Sequence, residues 1–291
     1  MSENKKHINP SSQLPEDPLE LISATRIDWG RSKQEIWTDL EKKMEDAAPV
    51  KIRTMGSIRI RLAIAATISL LIGVTVFVQS YKKTVTIPAG LHGNIVLPDQ
   101  SHVQLNAQTT LSYKPLIWQF SRKVKLDGEA FFEVTPGRKF EVISNRGRTV
   151  VLGTSFNIYS RENDYRVVCI TGKVKVIESK ENQEVIIKPG QQAALSEQGT
   201  LDVLSDINAK QTISWIENKL SFTSVPLRTV LEEVGRQYGI IIQIPEDINF
   251  TYTGTFLRNS SVDQTLDMVC KPFDLKFSRN SNNEYVISHG N

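Results

Sequence analysis

The chain has 291 residues, enough for about two domains, and its 40% hydrophobic and 23% charged residues place it among folded rather than disordered proteins. Lys and Arg number 35 against 32 Asp and Glu, a net charge of +3 that gives no reason to expect direct nucleic-acid binding. Two cysteines exclude a disulfide scaffold and a Cys-rich zinc module, and four scattered histidines leave little for metal catalysis.

Residues 1–57 begin as a polar stretch containing Pro10, Pro15 and Pro18, expected to be disordered. A helix signal follows. Ser32-Lys-Gln-Glu35 is a capping box, and Ile36, Trp37, Leu40 and Met44 then recur at helical spacing on one face, with Pro49 beyond the expected end. Nothing nearby in the sequence can cover that face.

Leu62 to Val78 carries no charge and as a helix would be about 25 Å long. Ile58 and Ile60 extend it, alternating with Arg59 and Arg61, and Tyr81 suits the opposite headgroup layer, so residues 58–81 read as a transmembrane helix. Lys42, Lys43, Lys51, Arg53, Arg59 and Arg61 precede the span, whereas Lys82 and Lys83 follow it closely. The positive-inside rule puts the N-terminus in the cytoplasm and the remainder outside it. Ala65, Ser69 and Gly73 share a helix face, a pattern ordinary in membrane helices.

Residues 84–204 read as β throughout. Runs such as Val103–Asn106, Lys123–Leu126, Ala130–Val134, Phe140–Ile143, Phe156–Tyr159 and Tyr165–Ile170 alternate with turn signals at Pro98-Asp99, Asp127-Gly128, Pro136-Gly137, Thr171-Gly172 and Pro189-Gly190. Short strands at this spacing predict a sandwich, barrel or solenoid. In residues 212–291 the period changes. Strand Lys219–Thr223 leads through Pro226 into a helix with Leu227, Val230, Leu231, Val234 and Tyr238 on one face, ending at Gly239. Strands Ile240–Ile244 and Thr251–Phe256 follow, then a helix capped by Ser261 and stopped by Pro272, then a hairpin across Asn280–Asn283. The order predicts a small α+β domain, βαββαβ, of the split βαβ kind.

Enzymatic motifs are lacking: there is no H-E-x-x-H, G-x-S-x-G or Walker A loop. Glu129 and Glu133 would be about 13 Å apart on a strand, too far for a glycosidase pair, and read as a solvated face beside buried Phe residues. Cys169 sits in an apolar strand and Cys270 ends a helix; a bridge between them needs a geometry that sequence does not supply. Gly128, Gly153 and Gly172 read as turn and close-packing positions. No catalytic, cofactor or metal residue is expected.

Several strings resemble the FecR family of anti-sigma regulators, in its compact form. They are Leu97-Pro-Asp-Gln-Ser-His-Val-Gln-Leu-Asn-Ala107, Gly128-Glu-Ala-Phe-Phe-Glu-Val134, Val151-Leu-Gly-Thr-Ser-Phe-Asn-Ile158, Gly172-Lys-Val-Lys-Val176 and Pro189-Gly-Gln-Gln-Ala193, in the family's order behind one apolar segment. Ser32-Lys-Gln-Glu-Ile-Trp37 is also similar to a segment of the compact form. The last piece resembles the short secretin/TonB N-terminal domain. The resemblance implies an inner-membrane protein that holds an extracytoplasmic-function sigma factor in the cytoplasm. It also implies a signal received in the periplasm from the N-terminal domain of a TonB-dependent outer-membrane transporter. Ile36, Trp37, Leu40 and Met44 are then the expected sigma-factor contact. The alternative is a membrane-tethered periplasmic module binding a glycan. One departure stands out: Gln100 occupies a turn position where the family has Gly, and a left-handed backbone there would cost about 1 kcal/mol.

Overall fold

The computed structural model describes residues 30–47, 55–162, 164–196, 198–280 and 283–290. The early prolines, Pro49, Lys51, Arg53 and the tip of the last hairpin at 281–282 lie outside the described residues. The chain divides into two units, Met1–Thr67 and Ile68–Asn291, each taken by itself.

In the first unit, α1 (Lys33–Glu45) starts as its sequence predicts: Glu35 N–H donates to Ser32 Oγ at 3.2 Å, and Ser32 N–H donates to Glu35 Oε2 at 2.9 Å. Two of the helix's otherwise orphaned donors are thereby satisfied. Helix α2 (Met55–Ser80) continues from the first unit into the second. Its stretch Gly56–Ser80 is long and apolar enough to cross a membrane, and none of it is buried by protein.

Thirteen strands form two sheets that share one long strand. They are β1 (Lys83–Ile87), β2 (Gly93–Val96), β3 (His102–Leu105), β4 (Thr109–Tyr113), β5 (Arg122–Glu133), β6 (Phe140–Ile143), β7 (Gly147–Val151), β8 (Ser155–Arg161), β9 (Asp164–Cys169), β10 (Val174–Glu178), β11 (Glu184–Ile187), β12 (Gln192–Leu195) and β13 (Leu201–Leu204). One sheet has the order β1-β4-β5-β6-β7-β10-β11, the other β2-β3-β5-β8-β9-β12-β13. Both contribute to a single core, in which Phe132 stacks on Phe156 at 5.1 Å and meets Phe140 edge-on at 6.2 Å. The domain is largely β, and this pair of sheets around one core is termed the β sandwich.

The Asp127-Gly128 turn signal is corrected. Residues 122–133 form one strand, and Gly128 is where it changes sheets: Asp127 pairs with Thr110 in the first, Gly128 with Ser160 in the second. Gly128 has φ 117, and a Cβ there would lie 2.5 Å from Thr109 Oγ1. The glycine bends the strand rather than reversing it. Gln100 does adopt the left-handed region, φ 65, in a turn closed by Gln100 N–H to Leu97 O at 2.9 Å. Buried Arg122 clamps that turn, donating to Asp99 and, at 2.7 and 2.8 Å, to the Arg138 and Thr135 carbonyls.

The C-terminal piece has its own core around Leu231, Val234, Leu266 and Phe256. After the short helix α3 (Ala209–Thr212) come β14 (Lys219–Pro226), α4 (Leu227–Tyr238), β15 (Ile241–Gln243), β16 (Thr251–Leu257), α5 (Val262–Cys270), β17 (Leu275–Arg279) and β18 (Glu284–His289). The order is βαββαββ, one strand more than the expected βαββαβ because the closing hairpin supplies two, and the strands make two sheets, β14-β16 and β15-β18-β17, rather than one split βαβ sheet. β14 finds its antiparallel partner in β16, leaving β15 to pair in parallel with β18. Element order alone does not choose between such pairings. The Ser261 capping box and the left-handed Gly239 stop both form. Cys169 and Cys270 are free, buried thiols.

Candidate functional site

The four sequence-predicted contact residues come together on α1. Trp37 is 60% and Met44 73% exposed, Leu40 is exposed, and Ile36 is half-buried. Asp39, beside this stripe, pairs with Arg31 at 3.4 Å and Lys43 at 3.7 Å, exposed ion pairs worth little by themselves. Among the described residues nothing buries any residue of this helix.

A second site was not read from the sequence. It lies where α4 packs on the β sandwich, and it is polar and buried. Gln237 Nε2 donates to Asn106 Oδ1 at 2.7 Å and to Glu233 Oε1 at 2.8 Å. Asn106 Nδ2 donates to Glu129 Oε2 and Asn157 Nδ2 to Glu129 Oε1, both at 2.8 Å. Arg236 Nε closes the chain on Glu233 Oε2 at 2.9 Å. His92 Nε2 lies 2.9 Å from Gln237 Oε1 and packs edge-on against Trp215. Backbone contacts lock the same joint: Gly90 N–H donates to Arg236 O at 2.8 Å, Arg258 donates to Gly90 O, and Arg258 Nε donates to Gln237 O at 3.0 Å. Gly239, the α4 stop, comes so close to the 88–90 loop that a Cβ there would lie 3.3 Å from Ala89 O.

The expected solvated face at Glu129 and Glu133 is therefore corrected for one of the two. Glu133 is exposed, but Glu129 is only 7% exposed, because α4 covers the strand. Burial, with the Glu233 charge beside it, pushes the Glu129 carboxyl above the usual carboxylate range. Burial acts the same way on Glu233, but the Arg236 and Arg161 guanidiniums and the Gln237 amide outweigh it and hold that carboxyl low. The pair thus favours one negative charge, on Glu233 beside Arg236. Burial pushes the His92 imidazole below its ordinary value. One signal pointed here: the unbroken Ala130-Phe131-Phe132 run means that strand β5 is covered on both faces, so a neighbouring Glu cannot be assumed wet.

Beside the joint, a cleft of about 550 Å³ is lined by Tyr159, Gln192, Trp215, Phe222 and Thr229 among others. Among the described residues no group of three His, Cys, Asp or Glu could hold a metal ion.

The family description "FecR protein" matches residues 83–175, and "FecR, C-terminal" matches residues 219–287. Two crystal structures of a candidate anti-sigma factor from Parabacteroides distasonis align with a TM-score of 0.66 and 24% identity, covering 72% of this chain and 100% of theirs. At that identity the likeness concerns the fold. No curated protein matches. The two matched regions meet at the buried joint, and with both halves of the family present in order the chain belongs to the FecR family.

Proposed function

We propose that this chain is a non-catalytic anti-sigma regulator of the inner membrane. In this reading α2 spans the bilayer once, α1 lies in the cytoplasm, and the β sandwich and C-terminal piece lie in the periplasm. The partners are an extracytoplasmic-function sigma factor at α1 and the N-terminal domain of a TonB-dependent transporter outside. The observation that carries the reading is the order of parts. An apolar helix face without a cover precedes an apolar helix without a cover, and the two FecR regions follow. A helix of about thirteen residues is marginal alone in water, so α1 gains its stability from what it binds. Trp37 is the anchor, since aromatic side chains dominate interface energies.

The test is capture of the sigma factor. Trp37→Ala with Leu40→Ala removes two side chains worth roughly 1.5–3 kcal/mol each when buried. We expect loss of sigma-factor co-purification and altered reporter transcription, with membrane insertion intact. Unchanged capture and transcription would rule out α1 as the contact. A phosphatase fusion after Lys83 should be active, and one placed before Ser57 silent. The second reading, a tethered glycan-binding module, draws on the aromatic and amide lining of the cleft. It predicts saccharide binding that is indifferent to the α1 variant.

A further inference from the structure

The end of the β sandwich nearest α2 differs in character from the opposite end. Only Tyr81 and Lys82 separate the last residue of α2 from β1, so Lys83 lies within about 10 Å of the helix end. Strand register then defines which loops share that end. Lys83 pairs with Tyr113, Tyr113 with Val124, Arg122 with Phe140, Phe140 with Val151, and Val174 with Ile187. The loops at 114–121, 134–139, 152–154, 170–173 and 188–191 therefore emerge together beside the helix.

The five loops contain no Asp or Glu, and they carry exposed Lys114, Arg138, Lys173 and Lys188; register with β5 also brings to this end Glu133 and the β2–β3 turn, whose Asp99 is paired with Arg122. The far end of the same sheet is mixed, with Asp127, Glu178, Glu181 and Glu184 beside Arg146 and Lys180. The near loops also expose large apolar side chains. Phe120 is 86% and Leu152 64% exposed, and Leu116, four residues before Phe120, is exposed too. Phe120 is presented rather than merely loose. Trp118 is buried edge-on between Tyr113 and Phe140, which roots the loop. Arg138 donates to the Gln119 carbonyl, and Gly137 N–H donates to Leu152 O at 2.8 Å, which ties the neighbouring loops together.

We propose that this end of the sandwich is a lipid-contact face. Leu116, Phe120 and Leu152 insert among the headgroups of the bilayer that α2 crosses, and Lys114, Arg138, Lys173 and Lys188 meet acidic phosphates. Apolar tips within a basic collar are the chemistry of interfacial binding, and the short tether holds them at the surface. The face sets the angle at which the sandwich stands on the membrane. The proposal rests on the membrane-spanning reading of α2.

The test uses the full chain in nanodiscs of phosphatidylethanolamine and phosphatidylglycerol. Cys169 and Cys270 are buried, so a nitroxide can be placed selectively by Phe120→Cys, Glu181→Cys or Leu70→Cys. We expect the label at 120 to be more accessible to oxygen than to a water-soluble nickel complex, the reverse at 181, and full oxygen preference at 70. Replacing the lipid by phosphatidylcholine, or introducing Lys114→Gln with Arg138→Gln, should shift the label at 120 toward water. A water-exposed label at 120 with a lipid-exposed label at 70 overturns this proposal alone. A water-exposed label at 70 overturns the spanning reading itself. A label at 120 shielded from both reagents indicates a protein contact and overturns the lipid assignment, and immersion indifferent to lipid charge overturns the role of the basic collar.

Discussion

Phe132 and Glu129 lie on the same strand, both are buried, and they belong to opposite kinds of interior. Phe132 is in the dry core, stacked on Phe156. Glu129 is in the joint with α4, accepting from Asn106 and Asn157. The core gains its free energy from apolar area and dispersion, which are indifferent to direction. The joint gains little net stability from its hydrogen bonds, since each replaces one made to water, but a wrong register leaves buried donors unmet. The core therefore holds the sandwich together, and the joint specifies how the two FecR regions meet.

Three substitutions would break or sharpen that contrast. Phe132→Ala should have the largest effect, costing about 3–5 kcal/mol because a large side chain is lost from a close-packed site. Urea unfolding of the sandwich should show it; a cost under about 1 kcal/mol would mean that the core collapses around the gap. Glu233→Ala strands Arg236 and one Gln237 donor in the joint and should cost about 3 kcal/mol. Its signature is local: hydrogen exchange should quicken in α4 and the 88–90 loop while the sandwich core keeps its protection. Uniform loss of protection would mean that joint and core unfold as one.

Glu129→Gln should have the smallest effect at low pH and a growing one as pH rises. The carboxyl is raised in the folded protein, so the folded state binds more protons than the unfolded one over the window between the two values. Wild-type stability therefore contains a term that falls from about pH 4.3, the unfolded value, up to the raised folded value. Glutamine lacks that term. Asn157 Oδ1 has no partner, so turning its amide over provides an acceptor for the new Gln donor. The variant should gain on wild type as pH rises, read from unfolding midpoints across pH. Glu233 acts in the opposite sense: held low, it contributes stability above its unfolded value that is lost as pH falls through its folded one. A parallel pH profile for Glu129→Gln and wild type would show that Glu129 titrates in the joint as it does in the unfolded chain, which would overturn the raised carboxyl.

Local patterns were legible because local physics writes them. The Ser32 and Ser261 caps, the Gly239 stop, the α1 stripe and most strands follow from spacing and from groups a few residues apart. The turn expected at Asp127-Gly128 failed because a glycine needed for a bend looks the same in sequence as one needed for a reversal. The α4 stripe of Leu227, Val230, Leu231 and Val234 was visible, but nothing in the sequence singled out Glu233 and Gln237 on the face beside it. Only the docking of α4 removes that face from water.

By itself, then, the sequence determined the α1 cap and apolar face, the uncharged helix after it, the β character of the middle and the alternating elements of the end. Each depends on residues within a turn or two of one another. The tertiary structure alone decided that β5 would serve two sheets, that β14 would pair with β16, that Glu129 and Glu233 would share one buried network, and that basic and apolar loops would gather beside α2. These features join residues far apart in the chain, and the free energy that pays for bringing them together comes from area and hydrogen bonds that exist only after the chain has closed.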